Sequence, residues 1–186
     1  METSHPQGLF RLDNETLAFR YTATVSHRDG HALERLDEPI KLRQWLVVND
    51  LDPGATPTPT ELAQARELRE AIYRLGAALA HDQQPALPDL DLLNSASAAG
   101  APIPLLDANG MHWSLDSANR LGAALAVIAR DAIHVLGTST RGRIKTCEGS
   151  ECAGLFLDTS RAAARRWCSM NTCGNKNKKN RMRANN

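Results

Sequence analysis

Two stretches of the chain repeat apolar residues with the period of a helix. Leu62, Ala65, Leu68, Ile72, Leu75 and Leu79 recur at steps of three and four, which places them on one helical face. Thr58-Pro59-Thr60-Glu61 marks the start of this stretch. Thr58 can cap, Pro59 suits the first helical position, and Glu61 can close a capping box. The pattern predicts a long helix ending near His81. A second stripe, Leu121, Leu125, Ile128, Ala132, Val135 and Leu136, predicts another, capped by Asp116 or Ser117 and closed by Gly137.

The segments between are shorter. Residues 1–8 read as a loose terminus. Leu17 to Val25 is rich in strand formers and predicts a strand or the start of a helix. His27 to His31 is a polar turn. Asp37 can cap a short helix with Pro39 in its first turn and Leu42, Trp45, Leu46 and Asn49 on one side. Prolines and Gly54 break the chain between Asp52 and Pro59. Pro85 and Pro88 precede a weaker helix from Asp89 to about Ala99. Asn109-Gly110, set between apolar runs, predicts a β-hairpin over Ile103 to Leu115. Together these give a mainly α-helical domain over residues 9–138 with a small β-hairpin element. Its Leu, Ile and Val stripes are core positions rather than cofactor contacts.

From Arg141 the pattern changes. Arg141 to Thr146 is basic and extended. All 4 cysteines follow, as Cys147-Glu-Gly-Ser-Glu-Cys152 and Cys168-Ser-Met-Asn-Thr-Cys173. Thiolates are soft, strong zinc ligands, and four complete a tetrahedral shell with no open position. The spacing therefore predicts one structural Zn²⁺ held by Cys147, Cys152, Cys168 and Cys173. Two disulfides or free thiols are the alternative, and a reducing compartment disfavours the first. Leu155–Leu157 and Arg165–Trp167 read as hairpin strands. The first cysteine pair would lie in a loop before that hairpin. The second would lie at its end and in the first turn of a final helix capped by Asn171 or Thr172. This is a treble-clef-like zinc finger, β-hairpin plus helix, over residues 141–186. Few large apolar side chains lie there, so the metal would be a folding element, and losing a ligand is expected to leave the helical domain largely intact.

Composition narrows the setting. A chain of 186 residues holds one or two small domains, and 42% hydrophobic residues with 4% aromatics imply an aliphatic, alanine-rich core. No apolar run reaches the roughly eighteen residues of a membrane helix. The N-terminus lacks the basic and apolar regions of a signal peptide, so a cytoplasmic protein is expected. The net charge of +1 hides an asymmetry: residues 141–186 carry eleven Lys/Arg against three Asp/Glu, whereas residues 1–140 carry eleven against eighteen. A basic end on an acidic body is the charge split of a nucleic-acid-binding module. Its candidates are Arg161, Arg165 and Arg166 from the hairpin, and Lys176, Lys178, Lys179, Arg181 and Arg183 from the final helix. Lys176, Lys179 and Arg183 share a helical face and can neutralise phosphates, with Asn177 or Asn180 able to read adenine edges. A solvated charge face is the plain alternative.

Cys152-Ala-Gly-Leu-Phe-Leu-Asp-Thr-Ser-Arg161 and Arg166-Trp-Cys-Ser-Met-Asn-Thr-Cys-Gly-Asn-Lys176 closely resemble the CGNR zinc-finger family. The motif of the family name reads Cys173-Gly174-Asn175-Lys176 here, which keeps the charge and loses the bidentate fork of arginine. In that family an ABATE-type domain commonly precedes the finger, and residues 9–138 resemble it in order and length. Its Asp-Phe-x-Asn-Thr signature stands as Arg20-Tyr21-Thr22-Ala23-Thr24, which alters any ligand pocket those polar groups shape in relatives. The resemblance implies a bacterial, stress-linked transcription regulator with DNA as partner. The helical domain would sense a small-molecule effector, contact a protein partner or form a homodimer. A zinc-scaffolded RNA- or protein-interaction module is the second reading. The sequence holds no nucleophile–base pair, Gly-rich phosphate loop or open metal site, so no enzyme is expected.

Overall fold

The stripe that begins at Leu62 becomes helix α3, Pro59–Ala80. Its capping box forms as predicted: the Glu61 amide donates to Thr58 Oγ1 at 3.2 Å, and the Thr58 amide donates to the Glu61 carboxylate at 2.7 Å. Leu62, Ala65, Leu68, Ile72 and Leu75 are buried on one face. This computed structural model describes residues 9–115 and 118–184, so residues 1–8 and the proposed caps Asp116 and Ser117 lie outside the described residues. The second stripe becomes α5, Arg120–Gly137, with Ala124, Ile128, Ala132 and Val135 buried. Asn119 caps it, accepting from the Gly122 amide at 2.9 Å. Gly137 is the last helical residue, and the chain leaves through an extended Thr138.

Leu17 to Val25 resolves into both elements it allowed. Helix α1, Leu17–Thr22, buries Phe19 and Tyr21. Asp131 of α5 accepts from the Ala18 amide at 2.7 Å and satisfies that end of the short helix. Strand β1, Val25–Ser26, then pairs antiparallel with β2, Leu33–Glu34. Helix α2, Pro39–Val47, has Glu38 rather than Asp37 at its N-cap, because Asp37 pairs with Lys41 one turn on. Leu42, Trp45 and Leu46 face the core, where the Trp45 ring lies 4.9 Å from that of Tyr21. Helix α4, Leu87–Ala98, starts two residues before Asp89, since Pro88 fits a first turn. Asp89 is buried and accepts from Arg74 Nε at 2.8 Å. Strands β3, Ile103–Asp107, and β4, Gly110–Ser114, form the predicted hairpin. Its two-residue turn is Ala108-Asn109, and Gly110 supplies the left-handed backbone at φ 122°.

The C-terminal segment is packed on the helices rather than beside them. A 3-10 turn, Ser139–Arg143, precedes β5, Ile144–Thr146, so only part of the basic stretch is extended. Strand β6, Leu155–Leu157, pairs with β5, whereas Arg165–Trp167 is not a strand. The Arg165 side chain donates to the carbonyls of Trp167 and Cys168 and folds that stretch on itself. The first cysteine pair therefore sits inside the hairpin turn and not ahead of the hairpin. Ile144 and Leu155 belong to the main core, at 4% and 1% exposure. Leu155 reaches α3 at Gly76, where a Cβ would lie 2.5 Å from its Cδ1. A π-turn, Met170–Gly174, leads into α6, Asn175–Ala184. Ser169, in extended backbone, accepts from the Thr172 amide at 3.3 Å and takes the capping place assigned to Asn171 or Thr172.

Candidate metal centre and basic surface

The four cysteines are brought together by three tight chain paths. The β5–β6 turn carries Cys147 and Cys152, with Glu151 and Ala153 in left-handed backbone at φ 67° and 45°. That pair of rare conformations curls the chain around the Cys152 sulfur. Gly149 lies so close to the cluster that a Cβ there would be 3.1 Å from Cys173 Cβ and 3.3 Å from Cys147 Sγ. The loop before the π-turn presents Cys168, and the π-turn itself presents Cys173. All four are buried, with their sulfurs within 4.8 Å of one another. Three of the separations are 3.7, 3.7 and 3.6 Å.

These distances fit a tetrahedral zinc. With Zn–S near 2.3 Å, the edges of the sulfur tetrahedron are about 3.8 Å. None of the four is in a disulfide. The donor set is four cysteines, and four protein ligands close the site, so it holds one structural zinc through Cys147, Cys152, Cys168 and Cys173. Before metal binds, the thiols share protons. Hydrogen bonds to the other three sulfurs hold Cys147 well above the usual thiol range, and hydrogen bonding with Cys147 is the main cause that lowers Cys168 to about 7. Zinc binding therefore releases protons. Amides cushion the cluster: Gly149 and Cys168 donate to Cys147 Sγ at 3.4 and 3.3 Å.

The helical domain grips this turn from behind. The Arg28 and Asp29 amides donate to the Cys152 and Glu151 carbonyls at 3.3 and 3.2 Å. The Tyr73 hydroxyl donates to the Ala153 carbonyl at 3.0 Å, and Asn14 Nδ2 to the Leu155 carbonyl at 2.9 Å. Behind these contacts lies a charged network. The Arg28 guanidinium sits 3.8 Å above the Tyr73 ring and pairs with Glu70 at 2.7 Å. Arg69, buried, pairs with Glu70 at 2.8 Å and forks onto Glu34 at 2.7 and 2.6 Å. Burial pushes Glu34 up, but the Arg69 hydrogen bonds outweigh it and hold the carboxyl below the usual range. No local sequence signal marks Arg28, Tyr73 or Asn14 as site residues, because each is joined to the zinc turn only by the tertiary fold.

The basic candidates divide by what they touch. Arg165 is committed to its two carbonyls and stacks 5.0 Å over the Phe156 ring. Arg166 pairs with Glu148, and Lys176 lies 3.6 Å from Glu151. Among the described residues, Arg161, Lys178, Lys179 and Arg183 are exposed, and their side chains make no hydrogen bond or ion pair. Arg181 lies on the same helix α6. In the ABATE-like signature, Arg20 donates to Asn49 at 2.9 Å, while Ala23 lines a narrow crevice of about 20 Å³ with Arg11, Asn14, Cys152 and Cys168.

Fold and metal centre together define a mainly helical protein with a C-terminal four-cysteine zinc finger, and comparison with known families gives two matches in that order. Residues 143–186 match the family described as "CGNR zinc finger". Residues 15–139 match ABATE, described as "Putative stress-induced transcription regulator", and by that match the chain belongs to the ABATE family. No curated protein matches it. No helix among the described residues is long and apolar enough to cross a membrane.

Proposed function

We propose that this protein is a zinc-dependent transcription regulator that binds DNA through α6 and the loop carrying Arg161, with the helical domain as the sensing or interacting part. The observation that carries this reading is the set of cations with unpaired side chains, Arg161, Lys178, Lys179 and Arg183, on the segment whose four cysteines cluster within 4.8 Å. Backbone phosphates need such free, exposed charge more than they need any particular neighbour. Structural zinc sets the angle of α6 and performs no chemistry. With four sulfurs on the metal there is no position for substrate, so the protein is not an enzyme in this reading.

A second reading, a zinc-scaffolded RNA- or protein-binding module, is favoured by one feature. Trp167, Met170 and Met182 line a groove of about 460 Å³ beside α6, with Met170 57% and Met182 62% exposed. The test is the triple variant Lys178→Gln, Lys179→Gln, Arg183→Gln, titrated with duplex DNA of several sequences and with single-stranded RNA. Expected is weaker DNA binding for every sequence, with the salt slope reduced by about 1 per residue. DNA binding equal to wild type would overturn the assignment to α6, and tighter binding to RNA than to DNA would favour the second reading.

A further inference from the structure

We infer that Arg11, from the N-terminal domain, is an outer-shell residue of the zinc site, so that zinc retention depends on both domains. A zinc with four thiolates carries a net charge of about −2, which a buried site must offset with hydrogen-bond donors. Among the described residues, amides of the finger reach two of the sulfurs: Gly149 and Cys168 donate to Cys147, and Gly154 to Cys152. Beside them stands Arg11 Nη2, which donates to Cys168 Sγ at 3.5 Å. It is the one charged donor among them and the one from outside the finger.

The segment that carries Arg11 is fixed. Phe10 beside it is 6% exposed in the main core, the Leu9 carbonyl accepts from Arg35 at 2.9 Å, and Asn14 bonds the Leu155 carbonyl. The Arg11 side chain is 22% exposed, and its carboxylate partner, Asp13, stands at 3.7 Å. That leaves the Cys168 sulfur as its closer partner. A positive charge held there lowers the energy of the all-thiolate state and slows loss of metal. Anything that shifts the segment of residues 9–14 would loosen the zinc without touching a ligand.

The experiment uses the full-length zinc protein and measures zinc affinity by competition with a colorimetric chelator. Loss of an outer-shell partner weakens metal affinity by 10–100-fold in known sites, so Arg11→Gln is expected to weaken it by about 10-fold. Arg11→Lys keeps the charge and should recover most of the loss. Thr159→Ala removes an exposed interdomain hydrogen bond, to Glu15 at 3.4 Å, that involves neither sulfur nor residues 9–14, and should leave affinity near wild type. In the cobalt-substituted protein, Arg11→Gln should move the sulfur-to-metal charge-transfer band to longer wavelength, because an unbonded thiolate is a better electron donor. Wild-type affinity in Arg11→Gln, an Arg11→Lys as weak as Arg11→Gln, a Thr159→Ala as weak as Arg11→Gln, or an unmoved band would each overturn the inference. DNA plays no part in the readout, so the result is independent of the function proposed above.

Discussion

Cys173→Ser is expected to release the zinc, unfold the β5–β6 turn and α6, and lower the melting temperature of the helical domain as well. The first two effects follow from the closed site: structural zinc contributes about 10–16 kcal/mol of apparent binding free energy that is also folding free energy. The third follows from the packing. Leu155 is 1% exposed in the main core and reaches Gly76 of α3. Withdrawing a buried leucine leaves a cavity whose cost is about 2–5 kcal/mol. The interdomain hydrogen bonds from Asn14, Arg28, Asp29 and Tyr73 would go with it. The sequence, with its change of character at Arg141, implied instead a helical domain indifferent to the metal. Zinc content together with thermal unfolding followed by far-UV circular dichroism decides the matter. Unchanged zinc content would contradict the ligand assignment, and an unchanged melting temperature of the helices would contradict the shared core.

The Arg69→Met variant should be the most damaging change away from the metal, at roughly 3–5 kcal/mol. The Arg69 side chain is 4% exposed, and its loss would take the forked partner from Glu34, leaving Arg66 at 3.7 Å, leave Glu70 to Arg28, and remove a donor to buried Thr24. Methionine preserves the volume, so the effect reads the charge. The network also has a pH signature. Glu34 and Glu70 both have folded pKa values below the ordinary carboxylate range, with the arginine hydrogen bonds overcoming burial. Their contribution to stability is therefore present at neutral pH and is lost as pH falls through the depressed values. Urea unfolding at neutral and at acidic pH should show a smaller acid-induced loss in Arg69→Met than in wild type. An equal loss in both proteins would remove the network from the account.

What could be read from the chain follows from whether the cause was local. The capping box at Thr58, the two apolar stripes and the Asn109-Gly110 hairpin depend on neighbours within a few residues, and each forms. The cysteine cluster was legible because ligand chemistry is carried by residue type and spacing. Caps were less legible. Several polar residues near a helix start compete, and the fold chose Glu38 over Asp37 and Ser169 over Asn171 or Thr172. Strand pairing was also ambiguous: β6 had basic, partly apolar stretches on either side, and Arg165 turned the later one into a self-bonded loop. The grip on the zinc turn was not legible, because Arg11 and Cys168 are 157 residues apart and nothing local links them.

In the function proposed above, zinc fixes a set of free cations in place for DNA. A salt series with the zinc-loaded protein and duplex DNA tests it most directly. If Arg161, Lys178, Lys179 and Arg183 each meet a phosphate, the slope of log Kobs against log salt is about −3.6, and affinity falls by about 150-fold from roughly 50 to 200 mM salt. The same titration with the metal chelated should show binding weakened at every salt concentration. No measurable binding at low salt with zinc bound, or equal binding with and without zinc, would contradict the account.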